Sequence, residues 1–473
     1  MSVGTNEVLG AEPDAPIVDR DAAAAYVASV CFKHGPPRLV GVELEWLVRD
    51  ITDPTRPVDP AALVRALGPY TPPTLRPPSV TGPAAGAPAP TLLPRGGTVT
   101  VEPGGQVEVA SPPLPTLSAL VDAVDVDAAE VARRLGDEHL TLVRRASDPL
   151  RRPRRILDVP RYAAMEAAFD RIGPHGRTMM CSTAAVQVCL DAGDGSAVAA
   201  RWDALHELGP VLTATFANSP AVHGRRTGWK SSRMASWLTL DPERTSPPSG
   251  HGPDPAAGYA RRALDTRLLC VRRPDADGGT SWSAPDAVTF GDWIDGRGDL
   301  DHRPTRADLD YHLTTLFPPV RPQGHLEVRY LDQQAGADWA VPAAVVSALL
   351  SDDAVLDRAR EAAAPTAGRW FAAARDGLAD PALQRAAAAI VPLAHDALGT
   401  LLAAEEPTGR ATALRDRLAA LVEQRVLRGR CPADEGIDEP GEASLGPPDG
   451  DPFAPPPPAP PPTSDPETSE GAR

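Results

Sequence analysis

The chain reads as an α+β protein: an antiparallel sheet with helices on its outer face and carboxylates on its inner face, followed by a helical region. Two observations predict this. Four short stretches alternate apolar residues with hard oxygen ligands, and a long Ala-rich run with helical spacing follows the last of them. The stretches are Val40-Gly41-Val42-Glu43-Leu44-Glu45-Trp46, residues 99–109 with Glu102, Gln106 and Glu108, residues 184–191 with Gln187, and His325-Leu326-Glu327-Val328-Arg329. Successive side chains on a strand point to opposite faces, so Glu43 and Glu45 share one face while Val40, Val42, Leu44 and Trp46 pack behind them. A surface that collects Glu43, Glu45, Glu102, Glu108, Gln187 and Glu327 repels itself unless cations hold it. The pattern therefore points to a polynuclear Mg²⁺ site and to phosphoryl chemistry.

Along the chain, residues 1–17 read as unstructured, and a helix is expected over 21–33, closed by Gly35-Pro36-Pro37. The first carboxylate strand covers 39–48. A Pro-rich stretch at 69–94 reads as a long surface connection, and a strand pair follows at 98–110. Leu117, Leu120, Val121, Val124, Ala128, Val131 and Leu135 recur with helical spacing, which makes 116–135 an amphipathic helix. Pro160 suits the first turn of a helix over 161–171 that Gly173-Pro174 ends. A strand is expected over 178–191, a helix over 196–217, and a short helix over 305–316 capped by Thr305, just before the strand at 325–332. Residues 338–428 predict helices at 338–350, 352–374, 380–403 and 410–428. From 432 to 473 the chain is acidic and Pro-rich, with four consecutive prolines at 455–458, and is expected to bury too little apolar area to fold. The catalytic body is thus expected over 18–431.

Charge and cysteine usage exclude several classes. The net charge is -16. The tail from 432 carries ten acids against Arg473, or -9, leaving -7 for the rest. Nucleic-acid binding needs a cationic stripe, and only Arg151-Arg152-Pro153-Arg154-Arg155 concentrates positive charge, which a solvated loop explains. Cys31, Cys181, Cys189, Cys270 and Cys431 form no CxxC pair, so neither a disulfide framework nor a zinc site is indicated. No signal pattern opens the chain and no apolar run is expected to reach a membrane span, which predicts a soluble, cytoplasmic protein.

The carboxylate face could hold two or three Mg²⁺ ions that bridge the phosphates of ATP and neutralise the charge developed during transfer. No GxxxxGK[ST] loop occurs, so the phosphates must be held by metals and arginine. Arg329, beside Glu327, is the best candidate because its fork matches phosphate oxygens.

Eight motifs then occur in order: Gly41-Val42-Glu43-Leu44-Glu45; Glu102-Pro103-Gly104-Gly105-Gln106-Val107-Glu108; Arg161-Tyr162 with Met165; Met179-Met180 through Val186-Gln187-Val188; Phe216-Ala217-Asn218-Ser219-Pro220; Ser232-Arg233 with Trp237; Asp241 with Arg244-Thr245; and Leu326-Glu327-Val328-Arg329. Together they resemble the glutamate-cysteine ligase family, in particular its actinobacterial branch that feeds ergothioneine synthesis. The resemblance covers residues 38–335 and, more weakly, the helical remainder. It implies a glutamine-synthetase-like fold and an ATP-dependent ligase that joins the γ-carboxyl of glutamate to the amine of cysteine through a γ-glutamyl phosphate. It also implies that Glu43, Glu45, Glu108, Gln187 and Glu327 hold the metals, that Arg329 faces ATP phosphate, and that Arg233 holds a substrate carboxylate. Arg161, Tyr162 and Trp237 fall near the amino-acid pockets. At Ser182, where plant and proteobacterial members carry arginine, the pattern is broken and one carboxylate contact is unassigned.

Blander readings compete. Gln187 could be a core amide, Glu102 a structural carboxylate before Pro103, Arg233 a surface ion pair and His325 a satisfied structural histidine. Two rival functions stay open: a ligase of the same fold with another amine acceptor, and a non-catalytic metal-binding scaffold.

Overall fold

The computed structural model describes residues 15–33, 35, 39–75, 90–248, 252, 254–273, 281–405, 409–435, 441, 444–446 and 451–453. Expectations for residues 1–14, 76–89 and most of the acidic tail lie outside the described residues. A six-stranded antiparallel sheet organises the body: β1 (Val40–Trp46), β2 (Thr98–Val101), β3 (Val107–Ala110), β4 (Ala185–Leu190), β5 (Val320–Pro322) and β6 (Leu326–Asp332), in the spatial order β2-β3-β1-β4-β6-β5. The register stacks Leu44 against Val109 and Val186, and Val42 against Val188, so the apolar sets of neighbouring strands share one face. The opposite face aligns Glu45 with Glu108, Glu43 with Gln187, and Cys189 with Glu327. A strand pair at 98–110 and the strand at 325–332 stand where the alternation places them.

Twelve helices are used below: α1 (Arg20–Cys31), α2 (Leu117–Asp137), α3 (Pro160–Asp170), α4 (His175–Ser182), α5 (Ser196–Phe216), α6 (Ser232–Leu240), α7 (Arg306–Leu313), α8 (Ala340–Leu349), α9 (Asp353–Ala363), α10 (Trp370–Asp376), α11 (Pro381–Ala404) and α12 (Gly409–Gln424). Helix α5 lies on the apolar side, where Leu205 O accepts from Tyr330 Oη at 2.9 Å. Helix α2 starts at the Thr116 cap, whose side chain accepts from Ala119 N, and buries Leu117, Leu120, Val121, Val124, Val131 and Leu135 as its spacing predicts. The start of α7 is fixed as well: Thr305 and Asp308 form a reciprocal capping box there.

Four expectations need correction. The strand expected over 178–191 begins as helix, because α4 runs to Ser182 and buries Thr178, Met179, Met180, Cys181 and Ser182 together. Distant groups stabilise this helix. Gln106 Nε2 donates to Met180 O at 3.2 Å and Thr183 O at 3.0 Å, and Gly104 lies so close that a Cβ there would stand 2.2 Å from Cys181 O. Secondly, the helix expected over 352–374 is two, α9 and α10, separated by a 3₁₀ turn at Ala364–Thr366 and by Gly368 at φ 72°. Thirdly, α11 is long and apolar enough to cross a membrane, although no such run was expected. Its Leu383, Ile390, Val391 and Leu398 are buried in the core, packed with α8, α9 and α12.

Finally, the chain beyond Cys431 does pack on the body at its described residues. Pro432 is buried, Lys230 Nζ pairs with Asp434, and Arg145, which is 2% exposed, donates to Pro432 O and Glu435 O at 3.2 and 2.8 Å. Further on, Trp229 Nε1 donates to Asp451 at 2.8 Å, and Phe453 is buried between Trp229 and His175. An acidic, Pro-rich composition hides these anchors because they are single residues spaced far apart.

Candidate active site

The polar sheet face divides into a carboxylate edge and an arginine edge. On the first, Glu45 and Glu108 face each other across β1 and β3, Glu43 is their neighbour on β1, and Glu102 stands in the turn after β2. That turn is tight: Gly105, at φ 91°, donates its N–H to Glu102 O, and Glu102 N donates to Gln106 O. Thr100 Oγ1 donates to Glu108 Oε1 at 2.6 Å, and Gln187 Nε2 to Glu45 Oε1 at 2.7 Å. No basic side chain hydrogen-bonds to Glu45 or Glu108 among the described residues. Burial, followed by the charge of Glu102, raises Glu45 to about 7. Burial, then Glu43, Glu102 and Glu45, pushes Glu108 well above the carboxylate range. Burial, reinforced by mutual repulsion, disfavours the charged forms.

The arginine edge behaves oppositely. Glu327, 1% exposed, accepts from Arg321 Nε at 2.7 Å, Arg321 Nη2 at 3.0 Å, Gln323 Nε2 at 3.0 Å and Arg329 Nη1 at 2.5 Å. Burial works against its ionisation, but Arg321 and Arg329 outweigh it and hold the carboxyl below its ordinary range. Arg329 and Arg233 both lie over the Trp237 ring, their Cζ atoms 5.5 and 5.3 Å from its centroid. Arg233 is almost fully buried. Its Nη2 donates to Arg329 O at 2.7 Å and its Nη1 stands 3.6 Å from Asp332. Trp237 is itself fixed by donating Nε1 to Phe317 O at 2.8 Å.

The profile of glutamate-cysteine ligase family 2 matches residues 39–446. This chain belongs to that family. It is 40% identical over 420 residues to the glutamate–cysteine ligase EgtA of Mycolicibacterium smegmatis, covering 88% of this chain and 90% of the relative. It is 38% identical to the EgtA of Mycobacterium tuberculosis, over 93% and 94%. The chloroplastic glutamate–cysteine ligase of Medicago truncatula is 32% identical over 55% of this chain and 52% of its own. Among solved structures, the glutamate–cysteine ligase of Francisella tularensis in complex with AMP aligns over 85% of this chain and 84% of its own at a TM-score of 0.47 and 12% identity.

Within this family member, the structure brings Glu43, Glu45, Glu102, Glu108, Gln187 and Glu327 to one side of the sheet, with Arg329, Arg233 and Trp237 at its arginine edge. Tyr162 and Arg161, at the start of α3, flank the carboxylate edge: Glu102 and Glu108 both act on the Tyr162 hydroxyl, whose burial first of all raises its pKa. Arg233 differs from a surface ion pair, being buried against an acid of the core. Ser182 is buried at the end of α4 and offers no charge.

The donors fit a hard divalent cation. They are all oxygens, and Gln187 Oε1 is buried without a hydrogen-bond partner while its Nε2 is engaged by Glu45. Among the described residues, no three His, Cys, Asp or Glu side chains converge on one point, and Glu327 is saturated by guanidinium and amide donors.

Two residues escaped the sequence. Arg321 lies opposite Glu327 in the β5–β6 pairing, a partnership that the Gln323-Gly324 hairpin signals once β5 is recognised. Asp332 is out of phase with Glu327 by simple alternation. A register shift between Val328 and Leu331 brings it opposite Ala185, on the polar side. There it accepts from Asn218 N at 2.8 Å, Ser219 Oγ at 2.7 Å and Ser231 Oγ at 2.9 Å, which gives the Asn218-Ser219-Pro220 and Ser231-Ser232-Arg233 segments one shared anchor.

Proposed function

We propose that this chain is an ATP-dependent ligase that joins the γ-carboxyl of L-glutamate to the amine of L-cysteine, giving γ-glutamylcysteine, ADP and phosphate, in the service of ergothioneine synthesis. One observation carries the site assignment: a single sheet face on which a buried carboxylate edge, where no basic side chain among the described residues hydrogen-bonds to Glu45 or Glu108, adjoins an arginine edge paired with Glu327. The identity to the mycobacterial ligases over most of both chains supports the substrates.

Glu43, Glu45, Glu108 and Gln187, with Glu102 at the margin, would hold two or three Mg²⁺ ions, while Glu327, taken up by guanidinium and amide donors, tethers Arg329. Bound there, the cations would neutralise the charge of the polyphosphate and of the transferring phosphoryl group. The chain's own residues supply positioning. Arg329 presents its guanidinium to phosphate, kept in place by Glu327 and the Trp237 ring. Arg233, with its charge held by Asp332, orients Arg329 through the backbone carbonyl and faces the glutamate side of the site.

A carboxylate does not condense with an amine at neutral pH. The γ-carboxylate oxygen of glutamate therefore attacks the γ-phosphorus of ATP, releasing ADP and forming an acyl phosphate. The cysteine nitrogen then attacks that carbonyl carbon, the C–O bond to phosphate breaks, and the amine loses a proton. Holding the reactants in line provides the acceleration. The protein is proposed to act in the cytoplasm.

The test is ADP release with ATP, Mg²⁺, glutamate and a panel of amines. Rapid ADP formation and γ-glutamylcysteine are expected only with glutamate and cysteine together. Aspartate, one methylene shorter, leaves the reacting carboxylate out of line and is expected to react about 100-fold more slowly or worse. Equal rates with several unrelated amines would overturn the cysteine assignment.

A further inference from the structure

Two guanidinium groups stand on one aromatic ring beside the carboxylate edge, and neither forms an ion pair with a described residue. Arg161 Cζ lies 5.1 Å from the centroid of the Tyr311 ring on α7, and Arg272 Cζ lies 5.6 Å from it. Trp282 closes on the same ring edge-on at 5.9 Å. Arg161 is fixed by donating to Thr314 Oγ1 at 2.7 Å and Thr314 O at 2.9 Å, both neutral acceptors. Arg272 makes no hydrogen bond to a described residue, and its Nε is buried without a partner. The acid that feels the charge of Arg272 is Asp310, yet Asp310 accepts from Tyr26 Oη at 2.9 Å and not from arginine. Among the described residues, neither guanidinium has a carboxylate within ion-pairing distance.

Two like charges drawn onto one ring repel each other, and the ring's π face offsets only part of that cost. A carboxylate brought to these guanidiniums would satisfy donors that no described carboxylate occupies. The location suits a substrate: the charge of Arg161 acts on Glu102, so the pair borders the carboxylate edge. Both arginines are half-buried, hence reachable, whereas Arg233 is buried and its charge is already balanced by Asp332. Ser182 supplies no positive charge.

We infer that Arg161 and Arg272, stacked on Tyr311, bind the α-carboxylate of an amino-acid substrate. This rests on the ligase reading above, which brings two α-carboxylates, those of glutamate and of cysteine, into the site. Arg272 is the new element, supplied by a segment far in sequence from the metal strands. Arg161 anchors the pair through α3 and Thr314.

The experiment compares wild type with Arg272→Gln and Arg272→Lys, using substrates that lack the α-carboxylate. Cysteamine replaces cysteine in one arm, and 4-aminobutyrate replaces glutamate in the other. Wild type should prefer each natural substrate strongly. In Arg272→Gln, kcat/KM should fall about 10- to 100-fold for the substrate whose carboxylate is bound and hardly at all for its decarboxylated counterpart. A collapse of the cysteine-to-cysteamine preference assigns the cysteine carboxylate, and a collapse of the glutamate-to-aminobutyrate preference assigns that of glutamate. Arg272→Lys should lie between, and KM for ATP should stay within about twofold of wild type, which separates carboxylate binding from a general loss of structure. Both preferences unchanged in Arg272→Gln overturn the inference. A wild-type protein that forms no ADP with glutamate and cysteine refutes the ligase reading, and this inference with it.

Discussion

Replacing Glu327 by glutamine is the sharpest test of the arginine edge. The carboxylate is almost fully buried and takes four hydrogen bonds, two from Arg321 and one each from Arg329 and Gln323. Glutamine preserves the shape but presents one oxygen and an N–H₂ group, so donors would face donors and two guanidiniums would lose their counter-charge. Breaking a buried pair in this way costs about 3–5 kcal/mol. The sign with pH follows from the direction of the shift. Arg321 and Arg329 hold the folded carboxyl below its unfolded value, so its contribution is complete above the ordinary carboxylate range and is lost only as pH falls through the depressed value. Urea unfolding of wild type and Glu327→Gln at pH 7.5 and again at pH 6 should therefore give the same difference of about 3 kcal/mol or more. Turnover should fall about 100-fold or more because Arg329 is no longer tethered. A difference below about 1 kcal/mol, with near-normal turnover, would show that the four-donor arrangement is not what holds this edge together.

Glu45→Gln should do the reverse at the carboxylate edge. Burial and Glu102 raise Glu45 from 4.5 to about 7, so in metal-free protein its charge destabilises the fold progressively as pH rises from about 4.5 to 7. At pH 8 without Mg²⁺ the variant should be more stable than wild type by about 1–3 kcal/mol, a gain that vanishes at pH 4.5 and that saturating Mg²⁺ abolishes, as urea titrations would read. Truncation after Cys431 should lower stability by about 3 kcal/mol, and Phe453→Ala by about 2 kcal/mol, since the first strips Arg145 of two carbonyl acceptors and the second empties the Trp229 and His175 cleft. An unchanged melting curve for both would show that these anchors contribute nothing. Asp332→Asn should raise KM for glutamate more than KM for ATP, because it releases Arg233; equal changes in both would assign Asp332 to folding alone.

The alternation of apolar and carboxylate residues made the sheet and its polar face legible, because a two-residue period leaves each side chain only one possible face. The helices of the core were legible from spacing and caps, as α2 and α7 illustrate. Three things were not. Helix α4 reads as strand in isolation, because its stability comes from Gln106 and Gly104, some 75 residues away in sequence. Asp332 was hidden by a register shift, which a period of two cannot anticipate. The tail anchors were hidden because Pro432, Asp434, Asp451 and Phe453 act singly on clefts built by other elements.

The two edges of the polar face make different demands, and the difference says where each substrate charge belongs. At the arginine edge, Glu327 already neutralises much of Arg321 and Arg329, so an incoming phosphate competes for guanidinium donors that are ordered in advance and can be shared without large motion. At the carboxylate edge no basic side chain among the described residues hydrogen-bonds to Glu45 or Glu108, and the charges of Arg233 and Arg329 offset only part of the cost of ionising Glu45. Burial and the neighbouring carboxylates raise both groups, a cost that a bound cation would relieve. On the proposed ligase reading, a polyphosphate carried by divalent cations would satisfy both edges at once, the cations held by Glu43, Glu45 and Glu108 and the phosphate by Arg329. Metal and nucleotide should then bind with positive coupling, each tightening the other by the same factor. Calorimetric titration of Mg²⁺ with and without a non-hydrolysable ATP analogue measures that factor. Independent binding of the two would mean that the edges work separately.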